Sequence, residues 1–273
     1  MTVRSATPSS TRLGRTLGTT RDWRRRLVFH HVPLALTCGV VLVLFVSPLF
    51  AKAGYPILDQ HDSGVFPKAM GSSMVVDQTS FSGSRLTVAT GYVATVLIGL
   101  TLLIGPLNLL LRRHLPVSSY LRRDFGLWAA VFGVIHVIFA LETPDISTIL
   151  SYFVADDGSV LLNSFGLGNW VGLAALVVVV GLLVISTDRA MRELKPKRWK
   201  SLQRLNYAMA GLVALHAFFY GALLRVTSPF TLVLLCTVIA VLAGQLVGIW
   251  LWRRRLVRMA AIQRERRSAA PVA

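Results

Sequence analysis

The sequence is short of charge, of acid and of cysteine. Only 15% of its residues are charged, where a soluble domain carries about a quarter. Lys and Arg number 29 against 12 Asp and Glu, a formal net charge of +17. The two cysteines, Cys38 and Cys236, both lie in apolar surroundings, and no CxxC or Cys/His cluster exists. That leaves a zinc site, an iron–sulfur cluster and covalent c-type haem attachment unsupported. It leaves the two thiols as small apolar residues rather than a disulfide. No GxGxxG opens a helix after a strand, so no flavin or nicotinamide domain is expected within the chain. The basic residues form no stripe with interleaved aromatics, which argues against nucleic acid as a partner.

What is abundant is apolar sequence, at 54% hydrophobic residues and a mean hydropathy of +0.61. It is concentrated in six blocks: Leu27–Phe50, Leu86–Leu111, Phe125–Leu141, Phe165–Thr187, Leu205–Leu224 and Phe230–Trp252. Most reach the ~20 residues that cross ~30 Å of hydrocarbon as a helix. The third, at 17 residues, is expected to stand nearly upright. The expected fold is an all-α integral membrane protein, a six-helix transmembrane bundle with cytoplasmic N- and C-termini. Residues 1–26 and 253–273 read as basic cytoplasmic tails flanking a transmembrane domain over 27–252, with no internal repeat. The orientation follows from the basic residues. The two tails and the 112–123 and 188–204 loops hold 25 of the 29, leaving Lys52, Lys68, Arg85 and Arg225 outside, a positive-inside pattern. Ala51-Lys52-Ala53 resembles a signal-peptidase site, but the preceding apolar block is longer than a cleavable signal's core of about 7–15 residues, so a retained helix is expected. The long outer segment 51–84 is suited to covering the outer face or docking a partner.

Six histidines are present. His30, His31, His61 and His114 read as interfacial or solvated side chains. His61 with Met70 and Met74 matches no firm copper-ligand pattern. His136 and His216 differ, because they lie inside apolar blocks, where an ionisable residue is costly and marks function. Such a pair serves as a hydrogen-bonded core pair, a proton relay or metal ligands. His136 lies 13 residues beyond Arg123 and His216 12 beyond Arg204, each about 18–20 Å from the inner charge belt. Their helices run in the same direction, so the two imidazoles stand level, in the outer half of the bilayer. Facing side chains at that depth suit a cofactor held in a helical bundle. Gly133, Ala140, Gly211 and Ala217 nearby would let a flat macrocycle approach.

The stretch Arg-Arg-Asp-Phe-Gly-Leu-Trp (122–128) leading to His136, and Lys-Arg-Trp-Lys-Ser-Leu-Gln-Arg-Leu-Asn-Tyr (197–207) leading to His216, carry a resemblance. Over about 83–224 the chain resembles the ferric reductase-like transmembrane domain family. Within it the chain is most similar to the haem-binding membrane subunits of bacterial periplasmic methionine sulfoxide reductase systems. The resemblance implies a bacterial inner-membrane electron-transfer subunit with His136 and His216 as axial ligands of a b-type haem. Family members usually carry another histidine where this chain has Gln203, so one haem is expected rather than two. The resemblance further implies a periplasmic molybdopterin-containing reductase as acceptor, and a cytoplasmic flavin reductase or the quinone pool as donor, with FMN a candidate second cofactor. A stand-alone ferric or cupric reductase is the first alternative reading, and a non-redox transporter or structural protein the second. Arg85 and Arg225, at outer helix ends, are candidate partners for haem propionates, against the plain reading that they snorkel. Arg189, Arg192, Lys195, Lys197, Arg198 and Lys200 are candidates for receiving a flavin phosphate or an acidic partner, against ordinary inner-face topology and lipid phosphate contact.

Overall fold

The computed structural model describes residues 27–47, 83–111, 117–141, 149–194, 196–221 and 228–268. A π-helical turn (Leu27–His31) leads into α1 (Val32–Val46), followed by α2 (Gly83–Leu110) and α3 (Val117–Leu141). Then come α4 (Ser164–Ile185), the short α5 (Asp188–Glu193) and α6 (Pro196–Leu202), α7 (Leu205–Phe219) and α8 (Pro229–Ser268). All the named elements are helical; the one β feature among the described residues is an isolated bridge between Val154 and Val160.

Among the described residues six apolar helices are present, one for each block, and five are long and apolar enough to cross a membrane. The exception is α7, at 15 residues. The sequence places its end at Leu224. Instead the helix stops at Phe219, and Gly221 follows in the left-handed region at φ 72°. Its N–H donates to Phe218 O, a glycine-terminated helix end. Two other boundaries differ from the reading above. α3 begins at Val117, so Arg122 and Arg123 sit within it rather than in a loop. Pro116 precedes its start, and between it and Gly126 no glycine or proline breaks the helix. The C-terminal basic stretch is also not a bare tail, since α8 carries on through the arginines to Ser268.

α2 is the hub, packed chiefly on α3 and α8 and also on α1 and α7, while α4 packs mainly on α7. Its buried face includes Ala89, Val93, Leu97 and Leu102. The buried hydroxyls of Thr90 and Thr101 donate to Leu86 O and Leu97 O one turn back, so neither is left unpaired in apolar surroundings. Small residues permit the close α2–α8 approach. A Cβ on Gly99 would stand 2.6 Å from Thr237 Cγ2, and one on Gly244 2.6 Å from Leu103 Cδ2. Pro106 lies inside α2 and has no N–H, so the Leu102 carbonyl one turn earlier loses its helical donor. Gln245 of α8 donates Nε2–H to that carbonyl at 2.9 Å, and Tyr207 of α7 donates to Gln245 Oε1 at 3.2 Å. Three helices are thus tied at the proline.

Candidate cofactor site

His136 projects from α3 and His216 from α7, and the fold brings the two rings together with centroids 6.0 Å apart and planes crossed at 89°. Each ring is held by the neighbouring helix in the same way. His136 Nδ1 bonds Thr87 O of α2 at 2.7 Å, and His216 Nδ1 bonds Gly168 O of α4 at 2.8 Å. A carbonyl only accepts, so Nδ1 carries the proton in both rings and each Nε2 keeps its lone pair. Four residues past each carbonyl stands a glycine against the same ring. A Cβ on Gly91 would lie 2.9 Å from His136 Nδ1, and one on Gly172 2.9 Å from His216 Nδ1. Any side chain there would displace the imidazole. The helix pairs α2–α3 and α4–α7 therefore repeat one construction.

This pattern bears on the meanings of an intramembrane histidine pair. Two neutral rings with both Nε2 atoms unprotonated have no proton to share, so a mutual hydrogen bond does not account for them. The two lone pairs would suit a metal ion. With metal–imidazole bonds of about 2.0–2.1 Å, the length known from zinc sites, two rings on opposite sides of one ion have centroids about 6 Å apart. No group of three or more His, Cys, Asp or Glu able to hold a metal occurs among the described residues, so a bare ion would find only two ligands. A porphyrin iron needs only two axial ligands from protein. Both histidines are only part-buried, and Gly133, one turn before His136, faces open space. The residues present fit a haem.

Past the pair, the helix ends near Tyr152 and Tyr220 are stitched by polar bonds. Tyr152 Oη donates to Ala140 O at 3.3 Å, Asn169 Nδ2 donates to Tyr152 O at 2.9 Å, and Tyr220 Oη donates to Asn169 Oδ1. The Tyr220 ring lies 4.9 Å from the His216 ring, and Gly168 must be glycine for it, since a Cβ would stand 2.7 Å from Tyr220 Cε2. The connection carrying Tyr152 is a tight turn. Ala155 N–H donates to Ser159 O, Leu161 N–H to Phe153 O, and Gly158 adopts φ 81°. Asp157 accepts from the Ser159 N–H at 2.9 Å, and bonds from Ser159 hold its carboxyl below the ordinary aspartate value.

Several of the other candidate residues fall outside the described ones. Arg85 falls in the first turn of α2, its side chain outside the described residues; Arg225 lies outside them altogether, as do His61, Met70, Met74, His114, Lys52 and the Ala51–Ala53 sequence. In the α5–α6 connection between α4 and α7, Arg189 is committed to Glu193 at 2.8 Å. Arg192 and Arg198 are exposed, Lys195 is outside the described residues, and the side chains of Lys197 and Lys200 are likewise not described. Gln203 Oε1 accepts from Asn206 Nδ2 at 3.2 Å.

Residues 90–215 match the family described as ferric reductase like transmembrane component. The chain is 34% identical over 176 residues to a protein-methionine-sulfoxide reductase heme-binding subunit MsrQ of Bordetella pertussis, covering 62% of this chain and 76% of that protein. This chain belongs to the ferric reductase-like transmembrane family. A second MsrQ, from Polaromonas naphthalenivorans, is 30% identical over 138 residues, 50% of this chain and 58% of that protein. A 95-residue stretch, 35% of the chain, is also 35% identical to the magnetosome protein MamZ of Magnetospirillum gryphiswaldense, of which it covers 14%. The family match contains His136 and stops one residue short of His216.

Proposed function

We propose that this chain is a b-type haem electron-transfer subunit, with His136 and His216 as axial ligands of a single haem. Its six apolar helices form the membrane bundle, in a bacterial inner membrane with both termini cytoplasmic. The observation that carries the reading is the matched pair of Nδ1–carbonyl bonds, which leaves two lone pairs to serve one metal. When bound, the haem supplies a reversible one-electron carrier with no open iron position. The chain's residues do the rest. Thr87 O and Gly168 O fix the tautomer and make each imidazole a stronger donor. Gly91 and Gly172 set ring position, and the surrounding helices keep water from the site. The names of the MsrQ relatives support a methionine sulfoxide reductase as the acceptor; in this reading it is a molybdopterin-containing periplasmic enzyme, and a cytoplasmic flavin reductase or membrane quinol is the donor. Arg85 and Arg225 are propionate partners in this reading.

An optical spectrum of the detergent-purified chain tests it. A low-spin haem spectrum is expected, with His136→Ala and His216→Ala each losing haem or turning high-spin. A colourless wild type returns the histidines to a structural role. Reduction of ferric or cupric chelates by the pre-reduced protein without a partner would replace the subunit reading with a stand-alone metal reductase.

A further inference from the structure

An Nδ1–carbonyl bond fixes where an imidazole stands more firmly than it fixes the plane in which the ring lies. The terminal torsion of histidine is broad, and a hydrogen bond keeps most of its strength over a range of angles. The His136 and His216 planes are nonetheless crossed at 89°. Holding that angle takes a further contact, and for His216 the structure supplies one. Tyr220 lies four residues after His216, so both project from one face of α7. It is the C-cap of that helix, directly before the left-handed Gly221. Its ring centroid is 4.9 Å from that of His216, with the planes inclined at 44°, within the range of aromatic packing.

The tyrosine is itself clamped. Its Oη donates to Asn169 Oδ1. The amide of Asn169 is oriented for this, because its Nδ2 donates to Tyr152 O at 2.9 Å and a carbonyl only accepts. Phe165 packs on the Tyr220 ring, with centroids 6.1 Å apart at 62°. Gly168 leaves room for the ring, since a Cβ there would stand 2.7 Å from Tyr220 Cε2. Gly168 and Asn169 are consecutive in α4. The first accepts from the imidazole Nδ1 at 2.8 Å and the second from the phenol. The two rings are thus held from one point of α4, through a single rigid peptide unit.

The plane of an axial imidazole matters to an iron. The ring donates π density into the one iron d orbital that lies across its plane. Two rings in a common plane load the same orbital and split the pair. Crossed rings load one orbital each and leave the pair nearly degenerate. Ferric iron gains more from the first arrangement, so crossing the planes favours the ferrous form and raises the reduction potential. We propose that Tyr220, tethered through Asn169, is a positioning residue that holds the His216 plane across that of His136. It thereby sets the ligand-field symmetry and the reduction potential of the haem. This deepens the electron-transfer reading and rests on it. The role suits a carrier, because it tunes how readily an electron is taken without opening an iron position.

Ferric electron paramagnetic resonance on the detergent-purified full chain, with a redox titration beside it, tests the role. The wild type should show the single low-field line of crossed axial planes rather than the resolved three-line spectrum of parallel ones. Tyr220→Leu should bring in the three-line spectrum and lower the midpoint potential while the haem stays low-spin. Tyr220→Phe keeps the ring and loses the tether, so it should broaden the line and lower the potential by less. Tyr152→Phe is the control. It removes a neighbouring bond of the same stitch, Oη to Ala140 O, of similar worth at about 1 kcal/mol, and should leave line and potential at their wild-type values. A three-line wild type overturns the proposal, as does an unchanged line and potential in Tyr220→Phe or Tyr220→Leu. An equal shift in Tyr152→Phe also overturns it, because the stitch would then act through stability alone. The two readings fail in different ways. A colourless or high-spin wild type sinks the haem assignment and this role with it, whereas a low-spin haem whose line ignores Tyr220 sinks only the role.

Discussion

The α2–α3 and α4–α7 pairs hold their histidines with the same carbonyl-and-glycine device, yet they support it differently. The His136 half sits at the heart of the bundle, with α1 and α8 packed on α2 and an aromatic knot of Phe45, Tyr92 and Phe230 sealing it, the closest centroids 4.9 Å apart. The His216 half is peripheral. α4 leans mainly on α7 and shows Val177, Val180 and Val184 to its surroundings. Its order comes from the polar stitch of Tyr220, Asn169 and Tyr152. Ring position is thus set by local backbone geometry, while its rigidity is supplied by packing on one side and by hydrogen bonds on the other.

The largest expected effect treats the halves alike. His136→Ala and His216→Ala should each remove the low-spin spectrum, read by haem retained per chain after purification. If only one mattered, the two-ligand construction would be wrong. Next come Gly91→Ala and Gly172→Ala. Each adds a carbon 2.9 Å from an imidazole nitrogen, overpacking that costs about 1–3 kcal/mol. Both should shift the haem bands and speed haem loss to apomyoglobin by similar factors.

These glycines also show what was legible beforehand and what was not. The histidines stood out because an ionisable side chain within lipid needs a reason, and their common depth follows from 1.5 Å of rise per residue. The small residues that the sequence shows beside each histidine are on its own helix, Gly133, Ala140, Gly211 and Ala217. The glycines that touch the rings are on partner helices earlier in the chain, α2 and α4, 45 residues before His136 and 44 before His216. That near-equal spacing is a signal of the repeated construction, although no repeat is visible in the residues between. The partnering carbonyls of Thr87 and Gly168 have no side-chain signature at all. For the fold, apolar blocks located the helices, but apolarity marks where lipid is, not where hydrogen bonding stops. α3 therefore starts before its arginines, α8 outruns its apolar stretch, and α7 is cut short at Gly221.

Smaller perturbations should separate the halves. Tyr220→Phe removes the bond to Asn169 and should cost about 1 kcal/mol. It should raise hydrogen exchange in α4 and α7 while leaving α2 and α3 unchanged; equal loosening of both pairs would break the comparison. The smallest effect concerns the turn beyond Tyr152. Asp157 titrates below its ordinary value because Ser159 bonds its carboxylate. Its contribution is therefore full above the unfolded-state aspartate value and fades as pH falls through the lower folded one. The protection factor of the Ser159 amide, its exchange corrected for the intrinsic pH dependence, should fall on acidification through that range, and Asp157→Asn should remove the dependence.

The central claim is that two imidazoles, each anchored through Nδ1, share one iron. Near-infrared magnetic circular dichroism with a haem-to-chain ratio on the purified protein tests it most directly. One low-spin haem per chain with a bis-imidazole charge-transfer band is the predicted result. Two haems per chain, a high-spin iron, or a bis-imidazole band that survives His216→Ala would contradict it.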